Sequence, residues 1–452
     1  MIDLVFPAPQ LTELMNRFRQ EQFESCAILL AAPVCRDQAG WRLLVREIQV
    51  VPEGAYKRRT DRIAELKTEF LLPLEKRAAR GRWSLIYCHS HPWQSGPPSF
   101  SPLDDETDGL AGSYLDSRIP GIPHLALLIG REKMCARTLT ATTPVRVIEV
   151  GRNLIFHFDP SGPALLEAAH DRQILLFGEI GQQFLGRLKI GVVGLGGTGS
   201  AVAQEIAHLG VSSYLLIDKD IVEETNRNRM VGSEPEDVGR KKTEVVERLI
   251  RRIRPSAEIL AIPEDVLAPG IGRRLAEVDF IFCCTDTHGS RNLINQLAYQ
   301  YLIPCIDMGV AILPKNGVVI DIGGRAQMLA PGLGCFTCQK ALDPNEIRRE
   351  LLSEAHRRAD PYFSIGQGVK QPAVISLNST AVSLATTMFL GVVTGIPVRS
   401  RLQYYDAMTG TVRSARLNPE PGCITCSAEG ALARGDTPDW PLPTRTIQEA
   451  EA

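Results

Sequence analysis

The chain has 452 residues, of which 44% are hydrophobic and 23% are charged, and its formal net charge is −2. This length predicts two or three domains, and the near-zero charge with both signs interspersed argues against a nucleic-acid partner. The longest apolar runs, such as 26–34 and 125–130, are too short to span a bilayer, and the N-terminus has no basic leader. We therefore expect a cytoplasmic protein without a membrane partner.

The eleven cysteines do not indicate a disulfide framework in a chain of this size. Five of them lie in apolar runs, where buried free thiols are ordinary: Cys26, Cys88, Cys283, Cys284 and Cys305. Four others form two spaced pairs, which indicate a different role.

Helices and strands alternate in the first part of the predicted chain. Helices are expected over 9–22 and 60–79, and strands over 23–32 and 41–51. The next predicted strand, 83–91, ends in His89 and His91. Because side chains alternate along a strand, both imidazoles point to the same side, where they can reach one metal ion.

A predicted helix begins at Ser101, after a loop rich in Pro, Gly and Ser. Ser at the N-cap, Pro in the first turn and the acids at 104–106 are the ordinary composition of a helix start. A side chain in such a first turn can also face a neighbouring strand end.

These residues, His-Ser-His-Pro followed by Ser-x-x-Asp, resemble the JAMM (MPN/Mov34-type) zinc metalloproteases over roughly residues 1–150. The resemblance implies an α/β domain that cleaves peptide or isopeptide bonds after ubiquitin-like proteins. It implies that His89, His91 and Asp104 are ligands of a catalytic zinc ion. Ser101 would help to stabilise the oxyanion, and Glu24 would deprotonate the water on the metal.

The loop before Ser101 is about two residues longer than the JAMM pattern, so Asp105 remains an alternative to Asp104. The chemistry is consistent on general grounds, because three protein ligands leave zinc an open position for water and a carboxylate can act as a base. A metal-free domain that has lost this activity is the other interpretation.

Two further apolar runs, 125–130 and 145–150, predict strands that close the first domain, and the junction falls within 151–162. We assign residues 1–155 to the first domain and 156–432 to the second, which begins with a helix over 164–178. Residues 433–452 are rich in Pro and charge and predict a flexible tail.

The second domain contains a glycine-rich turn. The apolar run 189–193 leads into Gly194, Gly196 and Gly199, and apolar residues at helical spacing follow as far as Gly210. Such glycines let the backbone approach a phosphate, and the helix N-terminus offers unpaired N–H groups. A second apolar run ends in Asp218, where a nucleotide site places an acid on a ribose hydroxyl. A turn with only a structural role is the alternative.

The charges that follow favour ATP over a dinucleotide. An ATP site balances a triphosphate and holds Mg²⁺, whereas a dehydrogenase needs no cations near a third phosphate. Charged or polar residues follow the acid at Asp220, Asn226, Arg229 and the run 239–242. Asp286 comes after the apolar strand 280–284, at the carboxyl end where ligands of parallel sheets bind. An NAD-dependent oxidoreductase is the disfavoured alternative.

The order of these residues resembles the ThiF/MoeB-type adenylyltransferases, which activate ubiquitin-like and sulfur-carrier proteins, over roughly residues 168–430. The resemblance implies a doubly wound, Rossmann-like domain in which Asp218 holds the ribose and Asp286 faces Mg²⁺ and the α-phosphate. Arg172 would reach into the other subunit's site as an arginine finger, so that the active unit is a homodimer. The remaining cofactor-binding residues implied are Gly194, Gly196, Gly199, Asp220, Asn226, Arg229 and Lys242, with Lys241 as the alternative to Lys242.

Two CxxC pairs, Cys335 with Cys338 and Cys423 with Cys426, predict a structural zinc ion held by four thiolates. Disulfides or redox pairs are disfavoured by a reducing compartment. Between the pairs we expect a polar helix over 344–358, a glycine-rich turn at 366–368 and an apolar core helix over 373–390. The interval 339–422 contains no cysteine that could receive an activated protein.

The whole sequence therefore predicts a bifunctional enzyme that uses ATP, Mg²⁺ and two zinc ions, one catalytic and one structural. It would trim or deconjugate a ubiquitin-like or sulfur-carrier protein and adenylate the C-terminal glycine of that protein. A downstream conjugating or sulfur-transfer enzyme would take the product. Sulfur-carrier activation for cofactor or cysteine synthesis, and a catalytically silent carrier-binding scaffold, remain alternatives.

Overall fold

The computed structural model describes residues 1–36, 40–94, 96–315, 318–352 and 372–445. They form two compact units. The first unit comprises Met1–Gly162, Gln300–Leu302 and Ala428–Pro441, and the second holds the remaining described residues.

The first unit contains ten strands and three helices within the described residues. The strands are β1 Ile2–Pro7, β2 Cys26–Arg36, β3 Gly40–Val50, β4 Tyr56–Arg59, β5 Ala64–Leu66, β6 Ser84–Ser90, β7 Leu125–Ile129, β8 Met134–Thr138, β9 Pro144–Val150 and β10 Leu154–Phe158. The helices are α1 Ala8–Arg19, α2 Thr68–Gly81 and α3 Pro102–Arg118.

Eight of these strands form one sheet in the order β1-β3-β2-β6-β7-β8-β9-β10, and β4 pairs separately with β5. Strand β1 also pairs with β9, so the sheet closes on itself. Alternate residues of β2 face opposite sides: Leu29 packs with Leu11 and Leu14 of α1, whereas Leu30 packs with Leu74 of α2 and Leu115 of α3. Helix α3 therefore lies on the second of these faces.

The described structure corrects two expectations in this unit. The helix expected over 60–79 begins only at Thr68, because β4 and β5 precede it and Tyr56 of β4 is buried. Strand β1 was not predicted, because Asp3 interrupts its apolar run. Asp3 is nevertheless fully buried, since it pairs with Arg36 at 2.8 Å and accepts two hydrogen bonds from Arg146.

The second unit is built around a mixed sheet of eight strands. They are β11 Lys189–Val193, β12 Ser213–Ile217, β13 Glu258–Ile262, β14 Phe280–Cys283, β15 Cys305–Lys315, β16 Val318–Leu329, β17 Leu402–Asp406 and β18 Thr411–Ser414. The described helices are α4 Asp171–Arg187, α5 Gly197–His208, α6 Lys242–Ile253, α7 His288–Gln300, α8 Phe336–Gln339, α9 Pro344–Leu351 and α10 Ile375–Val393.

The strand order is β13-β12-β11-β14-β15-β16-β17-β18. The five neighbouring strands β13, β12, β11, β14 and β15 pair in parallel, as a doubly wound fold requires. The pairings of β15 with β16, β16 with β17 and β17 with β18 are antiparallel. The antiparallel half was not predicted. Since β11 to β15 are parallel, their carboxyl ends share one edge of the sheet.

Helix α10 is long and apolar enough to cross a membrane by length and composition alone. It packs against α5, β15 and β16, and residues such as Met388 and Phe389 are fully buried. These contacts are those of the core helix that the sequence predicts. The glycine-rich turn expected at 366–368 and the end of the polar helix expected over 344–358 lie outside the described residues.

Two other expected segments differ from the structure. The helix expected over 164–178 starts at Asp171 and continues to Arg187, with a break at Gly178, whose φ of 71° is not helical. Part of the expected tail is packed: Ala433 is fully buried, and the backbone N–H of Gly435 donates to the carbonyl of Gln300 at 3.0 Å.

Candidate nucleotide site and metal centres

A cleft of about 610 Å³ opens at the carboxyl ends of β11 to β15. Most of the predicted nucleotide-binding residues line it. These are Gly194, Gly196, Asp218, Asp220, Arg229, Lys242 and Asp286. A volume of this size is typical of a ligand pocket.

The turn between β11 and α5 requires glycine at two positions. Gly194 has a φ of +85°, and a Cβ there would lie 2.7 Å from the carbonyl oxygen of Cys284. A Cβ on Gly199 would lie 1.8 Å from the carbonyl oxygen of Gly194. Gly199 is not among the residues that line the cleft, so its role is to pack the helix against the turn. Its close approach to Gly194 still places it at the glycine turn, and its part in phosphate binding stays a prediction.

Asp218, at the end of β12, is only 9% exposed. Its carboxylate accepts hydrogen bonds from the backbone N–H of Leu195 at 2.6 Å and of Asp220 at 2.8 Å. A carboxylate has about four lone-pair sites, so it can still accept from two hydroxyl groups. Burial raises the pKa of Asp218, while the charge of Lys242 opposes that rise. The residue therefore fits the predicted ribose contact.

The two candidate lysines differ in position. Lys242 lies at the start of α6 and lines the cleft, where its Nζ donates to Asp220 Oδ2 at 2.8 Å. Lys241 precedes the helix and does not line the cleft. Lys242 is therefore the lysine that is placed to meet a ligand in the cleft.

Two residues were predicted to bind phosphate, Asn226 and Arg229, and they differ in position relative to the cleft. Arg229 lines the cleft, and its Nη1 donates to the carbonyl of Thr225 at 2.6 Å. Asn226 is not among the lining residues, because its Oδ1 accepts from the backbone N–H of Glu223 at 3.2 Å and caps a short turn. The structure thus brings Arg229 to the cleft and leaves Asn226 outside it.

Asp286 follows β14 and is an exposed carboxylate within the cleft. Close to it, Arg291 also lines the cleft and donates from Nε to Asp307 Oδ1 at 3.0 Å. Asp307 is fully buried and accepts a second bond of 2.6 Å from Arg325. Our reading of the sequence missed this cluster, although an acid within the apolar run 303–308 was a visible signal.

Arg172 lies on the first turn of α4, is exposed and does not line the cleft of its own chain. The same helix carries three strongly exposed apolar side chains: Leu175 (87%), Leu176 (62%) and Ile180 (81%). Clustered exposed apolar residues of this kind mark an interaction surface.

The four paired cysteines converge in the second unit. The Sγ atom of Cys335 is 3.6 Å from those of Cys338 and Cys423, and Cys338 and Cys426 are separated by 3.4 Å. These distances exceed the disulfide length of about 2 Å. They are close to the edges of about 3.8 Å expected in a tetrahedron of thiolates around zinc. The four side chains can therefore hold a closed, structural metal centre.

A second cluster in the first unit joins His89 and His91 with Glu24. One nitrogen or oxygen atom from each lies within 4.8 Å of the others. His89 Nε2 is 3.4 Å from Asp104 Oδ1 and 3.8 Å from Glu24 Oε1, and His91 Nε2 is 3.6 Å from Glu24 Oε1. Glu24 Oε2 and His89 Nε2 are buried without a hydrogen-bond partner among the described residues. Orphaned buried donor atoms of this type fit a metal ion.

The local fold explains how these side chains meet. Glu24 lies two residues before β2, whose Cys26 pairs with His89 of the neighbouring strand β6. Burial raises the pKa of Glu24 to about 7, although the charge of His89 opposes this rise. A carboxyl group with a pKa near neutrality is suited to accepting and releasing a proton.

The two candidate aspartates both lie on the first turn of α3, but they contact different partners. Asp104 contacts His89, and its carboxylate also accepts from the backbone N–H of Ser101 at 2.6 Å. Asp105 instead forms an ion pair with Arg137. Asp104 is therefore the residue that joins the histidines. Ser101 acts as the N-cap, since its Oγ accepts from the backbone N–H of Asp104 at 3.2 Å.

Gln94 is a further residue of this cluster that our sequence analysis missed. Its Oε1 lies 3.1 Å from His91 Nδ1. An imidazole that donates Nδ1–H to a carbonyl leaves Nε2 free to bind a metal. The ring of Trp93 also stacks on His91, with 4.8 Å between the centroids.

The sequence profile of the ThiF family matches residues 170–425, which is more than half of the chain. The chain belongs to the ThiF family. The matched range contains the glycine turn, most of the residues that line the cleft, and Cys335, Cys338 and Cys423. Cys426 lies one residue past its end, and the histidine cluster of the first unit lies before its start.

Curated relatives of this ThiF-family chain carry three related descriptions. It is 27% identical to the molybdopterin-synthase adenylyltransferase of Escherichia coli over 261 residues, which are 57% of this chain and 95% of that protein. It is 25% identical to the SAMP-activating enzyme E1 of Haloferax volcanii, covering 57% and 87% of the two chains. It is also 25% identical to the sulfur carrier protein ThiS adenylyltransferase of E. coli, covering 58% and 96%.

Among solved structures, the crystal structure of E. coli MccB with ATP aligns with this ThiF-family chain at a TM-score of 0.47 and 21% identity. The alignment covers 58% of this chain and 75% of MccB. A likeness at this level adds nothing to the description of the site.

Proposed function

We propose that the second unit is an ATP-dependent adenylyltransferase that activates the C-terminal glycine of a ubiquitin-like or sulfur-carrier protein. The observation that carries this proposal is the convergence of a glycine turn, the buried Asp218, two cations and an exposed carboxylate on one cleft. The descriptions of the curated relatives support the same class of reaction and partner.

The reaction would join the carrier's carboxylate to AMP. A carboxylate oxygen attacks the α-phosphorus, the bond to the β-phosphate oxygen breaks, and pyrophosphate leaves with the electron pair. The backbone N–H groups of the glycine turn, with Arg229 and Lys242, would hold the phosphates. Asp286 would hold Mg²⁺, which offsets phosphate charge when bound.

The active unit would be a homodimer. Arg172 does not face its own cleft, and the apolar side chains beside it on α4 are strongly exposed. A second copy that covers this face would bury Leu175, Leu176 and Ile180 and could direct Arg172 to the partner's phosphates. The Cys₄ centre would hold structural zinc in each copy.

For the first unit we propose a zinc peptidase or isopeptidase that trims the carrier or releases it from conjugates. His89, His91 and Asp104 would be the ligands. Zinc, when bound, supplies a Lewis acid that polarises a carbonyl and acidifies water. Glu24 would take up the proton of the attacking water, and Ser101 would face the developing oxyanion.

The two proposed activities act on the same partner. Trimming would expose the glycine carboxylate that adenylation requires, so joining both units in one chain raises the effective concentration of that intermediate. The acceptor would then be a conjugating or a sulfur-transfer enzyme, in keeping with the two kinds of curated relative, and the cytoplasm is the expected compartment.

ATP–pyrophosphate exchange tests this proposal. Wild-type protein with ATP, Mg²⁺ and radiolabelled pyrophosphate should give labelled ATP only with a carrier that ends in a free glycine. A panel of small ubiquitin-like and sulfur-carrier proteins serves as the probe, and the same carriers with an amidated C-terminus are the controls. Exchange with the amidated carriers, or with none of the panel, would contradict the proposal.

We expect no thioester between the carrier and this enzyme. Cys284 is not packed in the sheet as expected, because it lies one residue beyond β14 and lines the cleft. Burial raises the pKa of its thiol well above the ordinary value, however, so little thiolate forms. After incubation with ATP, Mg²⁺ and carrier, a non-reducing gel should show no adduct that a thiol removes. If one forms, Cys284→Ala would identify the site.

A further inference from the structure

The chain returns to the nucleotide cleft near its C-terminal end. Arg445 lines the cleft together with Asp265, Leu267 and Glu350. It lies beyond the residues matched by the ThiF profile, 170–425, and within the segment for which the sequence predicted a flexible tail.

Arg445 makes three contacts with two segments that are far apart in sequence. Its backbone N–H donates to the carbonyl of Leu267 at 2.9 Å, and its Nε donates to the carbonyl of Glu350 at 3.1 Å. Its Nη2 lies 2.8 Å from Asp265 Oδ2. The side chains of Arg445 and Asp265 are only 20% and 16% exposed. An ion pair with this little exposure is screened less than a surface pair. We call Arg445 and its three partners the C-terminal clamp.

Glu350 is held at a second point. Its carboxylate accepts from the backbone N–H groups of His288, at 3.3 Å, and of Gly289, both at the start of α7. Its carbonyl is the group that Arg445 contacts. The clamp therefore connects α9, which carries Glu350, to α7 and to the loop after β13.

The order of the strands shows which end of the cleft the clamp borders. The glycine turn follows β11, and Asp218 directly follows the neighbouring strand, β12. Asp265 and Leu267 follow β13, the strand beyond β12. If the phosphates lie at the glycine turn and the ribose lies at Asp218, the base points toward the end of β13.

We infer that Arg445 is a positioning residue that holds the base end of the nucleotide site in shape. This inference rests on the proposed binding of ATP. Without the guanidinium group, Asp265 keeps its 2.8 Å contact with Lys219 and Glu350 keeps its hydrogen bonds to α7. The loop after β13 and α9 nevertheless lose the group that links them, so the base end of the cleft is held less firmly. The phosphate end is formed by other residues, namely Gly194, Gly196, Arg229 and Lys242, so it should keep its affinity.

Two ligands, ATP and inorganic tripolyphosphate, test the base end and the phosphate end separately in the full-length Arg445→Ala variant. Calorimetric titration should show about tenfold weaker binding of ATP, with unchanged binding of inorganic tripolyphosphate, which has no base. In carrier-dependent exchange the KM for ATP should rise and kcat should stay the same. Arg445→Lys keeps the charge but not the fork of donors, so its loss of ATP affinity should be smaller.

Arg252→Ala is the matched control. Arg252 is an exposed arginine of α6 that does not line the cleft, and its Nη1 lies 3.0 Å from Glu234 Oε1. It should bind both ligands as wild type does. Unchanged ATP affinity in Arg445→Ala, or equal weakening of ATP and tripolyphosphate, would overturn the inference. If Arg445→Ala does not fold, Arg445→Lys takes its place. The inference is then overturned if Arg445→Lys binds ATP as tightly as the wild-type protein does. Failure of wild-type protein to bind ATP would instead remove the proposed function, and this inference with it.

Discussion

Asp286→Asn should lower carrier-dependent ATP–pyrophosphate exchange by about a hundredfold or more. The exposed carboxylate of Asp286 lies in the cleft just after β14. An amide has nearly the same shape but no negative charge, and so it cannot hold the Mg²⁺ that accompanies a triphosphate. The fold should be intact, since no described hydrogen bond of the side chain supports the sheet.

The measurement is the exchange rate of the variant, with thermal unfolding and zinc content recorded on the same preparation. Asp321→Asn is the matched control, because Asp321 is an exposed aspartate of β16 outside the cleft. Exchange near the wild-type rate in Asp286→Asn would show that this carboxylate does not belong to the adenylation site.

Glu24→Gln should leave zinc in the first unit but lower peptidase activity by roughly two to four orders of magnitude, the usual contribution of a general base. Glutamine keeps the size of the side chain, yet its amide cannot take up a proton from water. His89, His91 and Asp104 would remain as ligands, so the metal should stay bound.

Metal analysis and cleavage of a linear carrier fusion, on one preparation, test both parts of this result. Glu13→Gln is a suitable control, because Glu13 lies on α1, is 65% exposed and pairs with Arg17 of the same helix. If Glu24→Gln loses one zinc ion per chain, Glu24 is a ligand rather than a base. If it cleaves as wild type does, the assignment of the base is wrong.

The parts of both sites that could be predicted are those where local sequence determines geometry. Alternation along the predicted strand 83–91 put His89 and His91 on one side, and the two do lie in one cluster, although β6 ends at Ser90. A strand followed by glycines placed Gly194 at a turn. The choice between Asp104 and Asp105 could not be made in advance. It depends on Arg137, an arginine of β8 that takes Asp105 away from the histidines.

Other features escaped prediction because a distant partner determines them. Asp3 can lie in a buried strand only because Arg36 and Arg146 neutralise its charge. Asn226 differs in that its partner is local: it has the residue type of a phosphate ligand, yet its Oδ1 accepts from the backbone N–H of Glu223 in its own turn. Arg445 lies in a Pro-rich, charged segment, and only the tertiary contact with Asp265 reveals its order.

The first unit includes residues from nearly the end of the chain, and this bears on the order in which the protein can fold during synthesis. Gly435 lies against the side chains of Val34 and Leu44, and Gln300 donates to the carbonyls of Gly435 and Trp440. The ribosome must therefore release residue 441 before this unit is complete. Most of the second unit has emerged by then. A chain truncated shortly before Ala428 should thus lose packing in the unit that Met1–Gly162 mainly forms.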